Sequence, residues 1–410
     1  MWESGWSLWS VGGSRTKTPG SRLSLESHVN RRQFLMCSCS TLAVQRLLAQ
    51  AQPSFGDVLQ AKVLAKPALV SQSIVYQHPD QDPYNAQNRF GFNHAPSVTL
   101  LSDGRLLAAW FSGPFEASVS QVILGCYSAD EGQSWGPAEV LNDFARTSDF
   151  DPAFIQDGKR TWLFFSAGRW DRYPFVRGEN EVGPESFKTY CSYTDDAARR
   201  WSEPRVAFEK VGCRTNGLRL SSGELLLPIY GFVGRTAGVL KSTDRSKSWR
   251  RCGDISCPAG ADEPTIAELS SARVLMFLRT NDGFIWKSVS RDKGETWSAA
   301  EKTAFVAGAA SHNLLRLRDG RIVLTHNASR PPLRTLLTLR ISGDDGVSWG
   351  DALTLAEIAA PGENEQIWGR QVTYPSVAEL ANGDLVAVWA EIALGNRVQY
   401  GNIHSASVRV

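Results

Sequence analysis

The 410-residue sequence predicts an all-β fold, a six-bladed β-propeller, on three observations. One short segment recurs five times at blade spacing, a strand-turn-strand unit recurs six times, and helix-period stretches are scarce. Composition agrees: 35 Gly and 14 Trp, set among short runs of Val, Leu, Ile and Phe, suit many short strands joined by tight turns. A chain this long with no charged or low-complexity linker reads as one large repeat architecture rather than two domains.

The five-fold segment is SADEGQSW (128–135), TDDAARRW (194–201), STDRSKSW (242–249), SRDKGETW (290–297) and SGDDGVSW (342–349). Each has Ser or Thr, then Asp two residues on, then Trp five beyond the Asp. The Trp residues fall at 135, 201, 249, 297 and 349, spacings of 66, 48, 48 and 52 residues, which is one propeller blade each. Its chemistry is that of a stapled turn. Asp and Ser/Thr bond the nearby backbone, Gly supplies positive φ in three copies, and Trp packs between neighbouring sheets. Five equivalent carboxylates on five blades cannot share a pocket, so these residues are scaffold.

The six-fold unit confirms the blade count: HAPSVTLLSDGRLLAAW (94–110), DPAFIQDGKRTWLFF (151–165), TNGLRLSSGELLLPIY (215–230), DEPTIAELSSARVLMFLR (262–279), SHNLLRLRDGRIVLTHN (311–327) and TYPSVAELANGDLVAVWAE (373–391). The sixth unit has no stapled turn. ALVSQSIVY (68–76) reads as a strand that closes the ring beside the C-terminal GNIHSASVRV (401–410), removing exposed sheet edges.

The chain is read as a leader over 1–51, a linker over 52–67 and the propeller over 68–410. Asn30-Arg31-Arg32-Gln33-Phe34-Leu35 is a twin-arginine motif, followed by an apolar stretch to Leu48 and small residues at Ala49-Gln50-Ala51, so export to the periplasm or beyond is expected. Arg46 interrupts the apolar stretch and argues against stable membrane insertion. A net charge of +2 supplies no long-range field for nucleic acid or an anionic membrane. Of seven Cys, Cys37 and Cys39 lie in the leader; Cys126, Cys191, Cys213, Cys252 and Cys257 remain. An odd number is no complete disulfide framework, and Cys252 with Cys257 reads either as a pair or as two buried thiols. No Cys/His cluster suggests zinc, and no metal or cofactor is expected.

In a propeller the start of each repeat converges on the axis. Those positions carry His94, Asp151, Asn216, Glu263, His312, Asn313 and Tyr374, with Arg279 and Arg330 just downstream. The set is more polar than a purely structural funnel needs.

The five turn segments are the Asp boxes of sialidases, and the chain resembles the bacterial BNR-repeat, sialidase-like propellers of that superfamily. The resemblance implies an exo-glycoside hydrolase in which Tyr is the nucleophile, because a carboxylate at the substrate's anomeric carbon repels an anionic one. Carried over, Tyr374 in Thr373-Tyr374-Pro375 is the nucleophile and Glu263 in Asp262-Glu263-Pro264 is its base. Arg279 and Arg330 answer to two of three carboxylate-binding Arg, whose planar forks fit a carboxylate. His94 stands where the first Arg is expected, and Glu116 where the family has an acid/base Asp, so the resemblance leaves the sugar open. Asp151, Asn216 and Asn313 are expected to contact substrate. Blade two carries an insertion, Gly168 to Phe187, with Arg169, Trp170, Arg172, Tyr173, Phe175 and Arg177, a composition seen both at sugar sites and in self-packed rim loops.

The reading is therefore an exported hydrolase of a terminal, acidic sugar, with a glycan as partner. Two alternatives stand beside it: a lyase or other exo-glycosidase using His94 or His312 with Tyr374, and a non-catalytic glycan-binding propeller.

Overall fold

The computed structural model describes residues 66–78, 89–169, 186–231, 235–360, 369–394 and 399–410. The expected leader (1–51), nearly all of the linker (52–67) and most of the blade-two insertion lie outside the described residues.

The described chain enters through β1 (Ala68–Tyr76) and then builds blade 1 from β2 (Phe92–Leu100), β3 (Leu106–Gly113), β4 (Val122–Ser128) and β5 (Glu139–Asn142). Blade 2 is β6 (Ser148–Asp157), β7 (Arg160–Gly168), β8 (Lys188–Thr194) and β9 (Arg205–Glu209). In blade 3 the inner edge is split into β10 (Val211–Cys213) and β11 (Leu218–Arg219), followed by β12 (Leu225–Gly231), β13 (Ala237–Ser242) and β14 (Arg250–Ile255). Blade 4 is β15 (Asp262–Glu268), β16 (Val274–Arg279), β17 (Phe284–Ser290) and β18 (Glu301–Val306). Blade 5 is β19 (Asn313–Arg316), β20 (Ile322–Asn327), β21 (Leu336–Ser342) and β22 (Leu353–Glu357). Blade 6 is β23 (Arg370–Glu379), β24 (Leu385–Leu394) and β25 (Gln399–Arg409), completed by β1 in the sheet order β1-β25-β24-β23. All six sheets are antiparallel, and β1 pairs β25 from Ala68↔Arg409 to Tyr76↔Ile403. The ring closes with chain from its two ends.

The five Asp boxes each form the turn between the third and fourth strands of a blade, with a common geometry. In the first, the Asp130 carboxylate accepts from Ser128 Oγ at 2.8 Å, Ser134 N at 2.9 Å and Ser134 Oγ at 2.5 Å, while Gly132 N donates to Ser128 Oγ. Two successive residues take positive φ in every box: Glu131-Gly132, Ala197-Ala198, Arg245-Ser246, Lys293-Gly294 and Asp345-Gly346. Blade 6 lacks a box because its third and fourth strands, β25 and β1, are opposite parts of the chain and no turn joins them. The box Trp side chains reach the preceding blade: Trp135 Nε1 donates to Ser405 Oγ at 3.0 Å, and the Trp249 ring meets Phe164 edge-on at 5.3 Å. Apolar cores lie between blades, where Trp110, Trp162, Phe164 and Phe277 are fully buried.

Inner strands of adjacent blades are not paired with one another, so side chains must satisfy the backbone around the axis. Ser376 Oγ accepts from Val98 N at 3.1 Å, Thr265 Oγ1 from Leu314 N at 2.8 Å, Asn313 Oδ1 from Val377 N at 3.2 Å, and Asn216 Oδ1 from Phe154 N at 2.8 Å. Asn216 Nδ2 also donates to Val98 O at 2.9 Å. This differs from the substrate contact expected of Asn216 and Asn313: their amides are bonded to backbone along the axis. All five cysteines among the described residues are free thiols, Cys252 buried and Cys257 half-buried, which selects thiols over a pair.

Candidate active site

Four blades open with the same local device. Ala95, Asp151, Glu263 and Tyr374 each precede a proline and take positive φ, at 54°, 54°, 33° and 58°. Each sits in a bulge where strand pairing is interrupted, between His94 and Ser97, Phe150 and Ala153, Asp262 and Thr265, and Thr373 and Ser376. A non-glycine residue in this region costs about 1–3 kcal/mol, and a following proline restricts it further. The bulge re-aims the side chain away from the ordinary pleat. Three of the four residues so aimed are Asp151, Glu263 and Tyr374.

Blade topology brings their partners to the same end. First strands start there, second strands finish there, and the loops joining second to third strands lie there too, whereas the Asp boxes lie at the opposite end. Arg279 closes β16 opposite Asp262, the residue before Glu263. Tyr374 Oη donates to Glu263 Oε1 at 2.8 Å, and Arg279 Nη1 donates both to Glu263 Oε1 at 2.6 Å and to Tyr374 Oη at 2.7 Å. All three groups are buried or nearly so. Burial alone would push the Glu263 carboxyl up, but the Arg279 charge and hydrogen bond, with Arg214 and the Tyr374 hydroxyl, outweigh it and hold Glu263 below the ordinary range. Burial raises Tyr374 above an ordinary phenol, so it rests protonated and its hydroxyl needs a base.

His94 packs its ring 4.3 Å from that of Tyr374, centroid to centroid, within an aromatic group that includes Phe92 and Phe111. Burial, then the charges of Arg334, Arg214 and Arg279, lower its pKa well below the usual imidazole value, so it is neutral. Asp151 accepts from the Tyr230 hydroxyl at 3.0 Å, and burial pushes its carboxyl up to about 7 against the pull of Arg214. Its neighbour set includes Glu263 and Glu116. Glu116 is exposed on the loop between β3 and β4, near enough to act electrostatically on both Asp151 and Arg334. His312 is buried beside Arg279, and burial lowers it to about 3.

The expected Arg330 is not the one that faces this group. Arg330 is exposed, and Leu333 N bonds back to Arg330 O at 2.9 Å in a turn. The chain emerges from that turn at Arg334, whose guanidinium lies 5.7 Å from the Tyr374 ring centroid and is steadied by Gln371 Oε1 at 3.1 Å and by Ala309 O. Counting along a Pro-Pro loop could not settle which Arg turns inward. The second residue that the sequence reading missed is Arg214, only 1% exposed, whose guanidinium lies 5.0 Å from the Tyr374 ring centroid. Its sole signal in the sequence is a basic residue at Cys213-Arg214-Thr215, one of the two blade heads, with Ser311-His312-Asn313, that depart from the X-Pro pattern. Of the insertion, Arg169 is bonded to Ser186 through its backbone, and residues 170–185 lie outside the described residues.

The fold is that of a sialidase-type β-propeller, with a Tyr-Glu-Arg constellation at its axis. The chain belongs to the BNR repeat-like domain family, which matches residues 104–387. A sialidase from Micromonospora viridifaciens is 22% identical over 359 residues, covering 78% of this chain and 53% of that protein, so this chain spans about half of it. Among solved structures, the NanB sialidase of Streptococcus pneumoniae superposes with a TM-score of 0.67 at 14% identity, covering 82% of this chain and 70% of that one. A protein of unknown function from Dyadobacter fermentans gives 0.66 at 17% identity, covering 84% and 99%. These structural likenesses concern the fold.

Proposed function

We propose that this protein is an exo-acting glycoside hydrolase that removes a terminal acidic sugar through a tyrosyl intermediate. The observation that carries the reading is the shared hydrogen bonding of Tyr374 Oη, Glu263 Oε1 and Arg279 Nη1 within 2.6 to 2.8 Å. Glu263, kept ionised by Arg279, takes the phenolic proton as Tyr374 Oη attacks the anomeric carbon and the glycosidic C–O bond breaks. Glu116, at the open rim, is the acid that gives its proton to the leaving oxygen. It then takes a proton from the water that displaces Tyr374, while Glu263 returns the phenolic proton, giving net retention. Arg279 and Arg334 supply positive charge for the substrate carboxylate, and neutral His94 presents a polar ring in place of a third cation.

The test is a screen of purified protein against fluorogenic sialosides, glucuronides and neutral glycosides, followed by Tyr374→Phe on whichever is cleaved. Release that persists in Tyr374→Phe removes the tyrosyl mechanism. An unsaturated sugar product would assign a lyase using His94 and Tyr374, and saturable binding without turnover a glycan-binding propeller. Export through the Arg31-Arg32 leader belongs to the same proposal, and retention of an Arg31→Lys, Arg32→Lys chain in the cytoplasm is its check.

A further inference from the structure

The four strained turns at the axis do not hold themselves. Their carbonyls converge on one tripeptide of blade 3, the blade whose inner edge is broken into β10 and β11. Cys213 Sγ donates to Asp151 O at 3.6 Å. Arg214 Nη2 donates to Pro96 O at 3.2 Å and to Tyr374 O at 3.3 Å, and its Nη1 to Ser97 Oγ at 3.3 Å. Thr215 Oγ1 donates to Pro264 O at 2.7 Å. Three consecutive residues thus hold a carbonyl from each of the other four site-bearing heads, the turns at Ala95, Asp151, Glu263 and Tyr374. Burial keeps Cys213 a thiol, with its pKa raised to about 12, so it remains a donor.

We propose that Cys213-Arg214-Thr215 is a clamp that fixes the four bulged turns, and that Arg214 is the positioning residue for the Tyr374–Glu263 pair. The geometry favours this over a purely packing role. A guanidinium buried across the axis is expensive to desolvate, and it is spent on acceptors from blades 1 and 6 rather than on a carboxylate partner. A planar fork aims donors from separate nitrogens at both blades, a fixed geometry that a single ammonium nitrogen does not reproduce. The charge also reaches the chemistry, since Arg214 favours the ionised forms of Glu263 and Asp151 and the neutral form of His94. The other groups facing Glu263 are Arg279, Arg334, Tyr374, Tyr230, Asp262 and Asp151. Those facing His94 are Arg334, Arg279 and Tyr374.

The inference rests on the hydrolase reading for its kinetic arm and on geometry alone for its spectroscopic arm. In the full chain, Arg214→Met should lower kcat about 100-fold, the cost of displacing a nucleophile by an ångström, while KM moves less than about threefold. Its kcat/KM profile should lose its acid limb at a higher pH, because Glu263 must be ionised to act and has lost a nearby cation. Arg214→Lys should keep the acid limb near that of the parent but remain about tenfold slow, since charge returns without the fork. Should Arg214→Met not fold, Arg214→Lys carries the rate test. Histidine-labelled protein supplies the arm that needs no turnover: the carbon-13 titration of His94, assigned with His94→Gln, should move to higher pH in Arg214→Met, or in Arg214→Ala if the Met variant does not fold. A parent with no turnover but a shifted His94 would remove the hydrolase reading and leave the clamp. Parent-like kcat and acid limb in Arg214→Met, parent-like kcat in Arg214→Lys, or an unmoved His94, would each overturn the clamp.

Discussion

The two ends of the propeller use acidic residues in opposite ways. At one end, the Asp-box carboxylates are exposed or half-buried, accept two or three hydrogen bonds each from their own turn, and are held below the ordinary range, Asp130, Asp244 and Asp292 to about 2. At the other, Asp151, Asp262 and Glu263 are buried, strained or next to strained backbone, and driven apart: burial lifts Asp151 to about 7 and Asp262 to about 6, while Arg279 outweighs burial at Glu263. Self-contained hydrogen bonding makes a repeated staple. Cross-blade bonding makes groups whose protonation states differ, which is what acid/base chemistry requires. Within one chain, the residues that repeat are scaffold, and those that differ at a repeated position form the candidate site.

The largest effect that separates the two ends is on turnover. Tyr374→Phe is expected to abolish release of a fluorogenic aglycone while leaving the thermal midpoint near that of the parent, since only one hydroxyl is lost; a kinetic assay beside a melting curve reads both. Next, Trp349→Ala at the box end should do the reverse. It removes a ring packed on Phe277 and Phe305 across a blade boundary and should destabilise by about 3 kcal/mol, with kcat unchanged in the folded protein, as calorimetry and active-site titration would report.

A pH test sharpens the contrast further. Asp151 has a folded pKa raised from 3.8 to about 7, so between those values the folded state binds more protons than the unfolded one. Its contribution to stability therefore falls as pH rises through that window. Asp151→Asn, which is neutral throughout, should flatten the decline in melting temperature over that range. Asp292→Asn at the box end carries the opposite sign. The folded pKa of Asp292 is depressed to about 2, so its contribution is present above the unfolded value and lost as pH falls toward 2; that variant should differ from the parent at neutral pH and converge with it in acid. The smallest effect is the most diagnostic of loop register: Arg330→Ala should leave kcat/KM within about twofold, whereas Arg334→Ala should cost at least about tenfold in the same assay.

How much of this was legible follows the same division. The Asp boxes were readable because each works within eight consecutive residues, so the sequence shows all of its partners at once. Tyr374, Glu263 and Arg279 were readable through the blade repeat, which fixes strand starts and ends. Arg330 is the residue the sequence points to, and Arg334 faces Tyr374 instead, because a turn between two strands has no periodicity to count. Asn216 and Asn313 looked like site residues because they share the axis with them, and only the backbone of neighbouring blades shows where their amides go. Arg214 gives little sign of itself for a related reason: its acceptors lie 117, 118 and 160 residues away.

The sequence by itself therefore determined the six blades, the staples and the inner-strand positions that could carry chemistry, because hydrogen bonding within turns and alternation along strands are local and recur at each blade. Tertiary structure alone decided which of those positions converge. It also decided which cation faces Tyr374 and how burial and neighbouring charge split the pKa values of Asp151, Asp262 and Glu263. Those outcomes depend on distances between blades and on exclusion of water from the axis, and neither quantity is written in any one repeat.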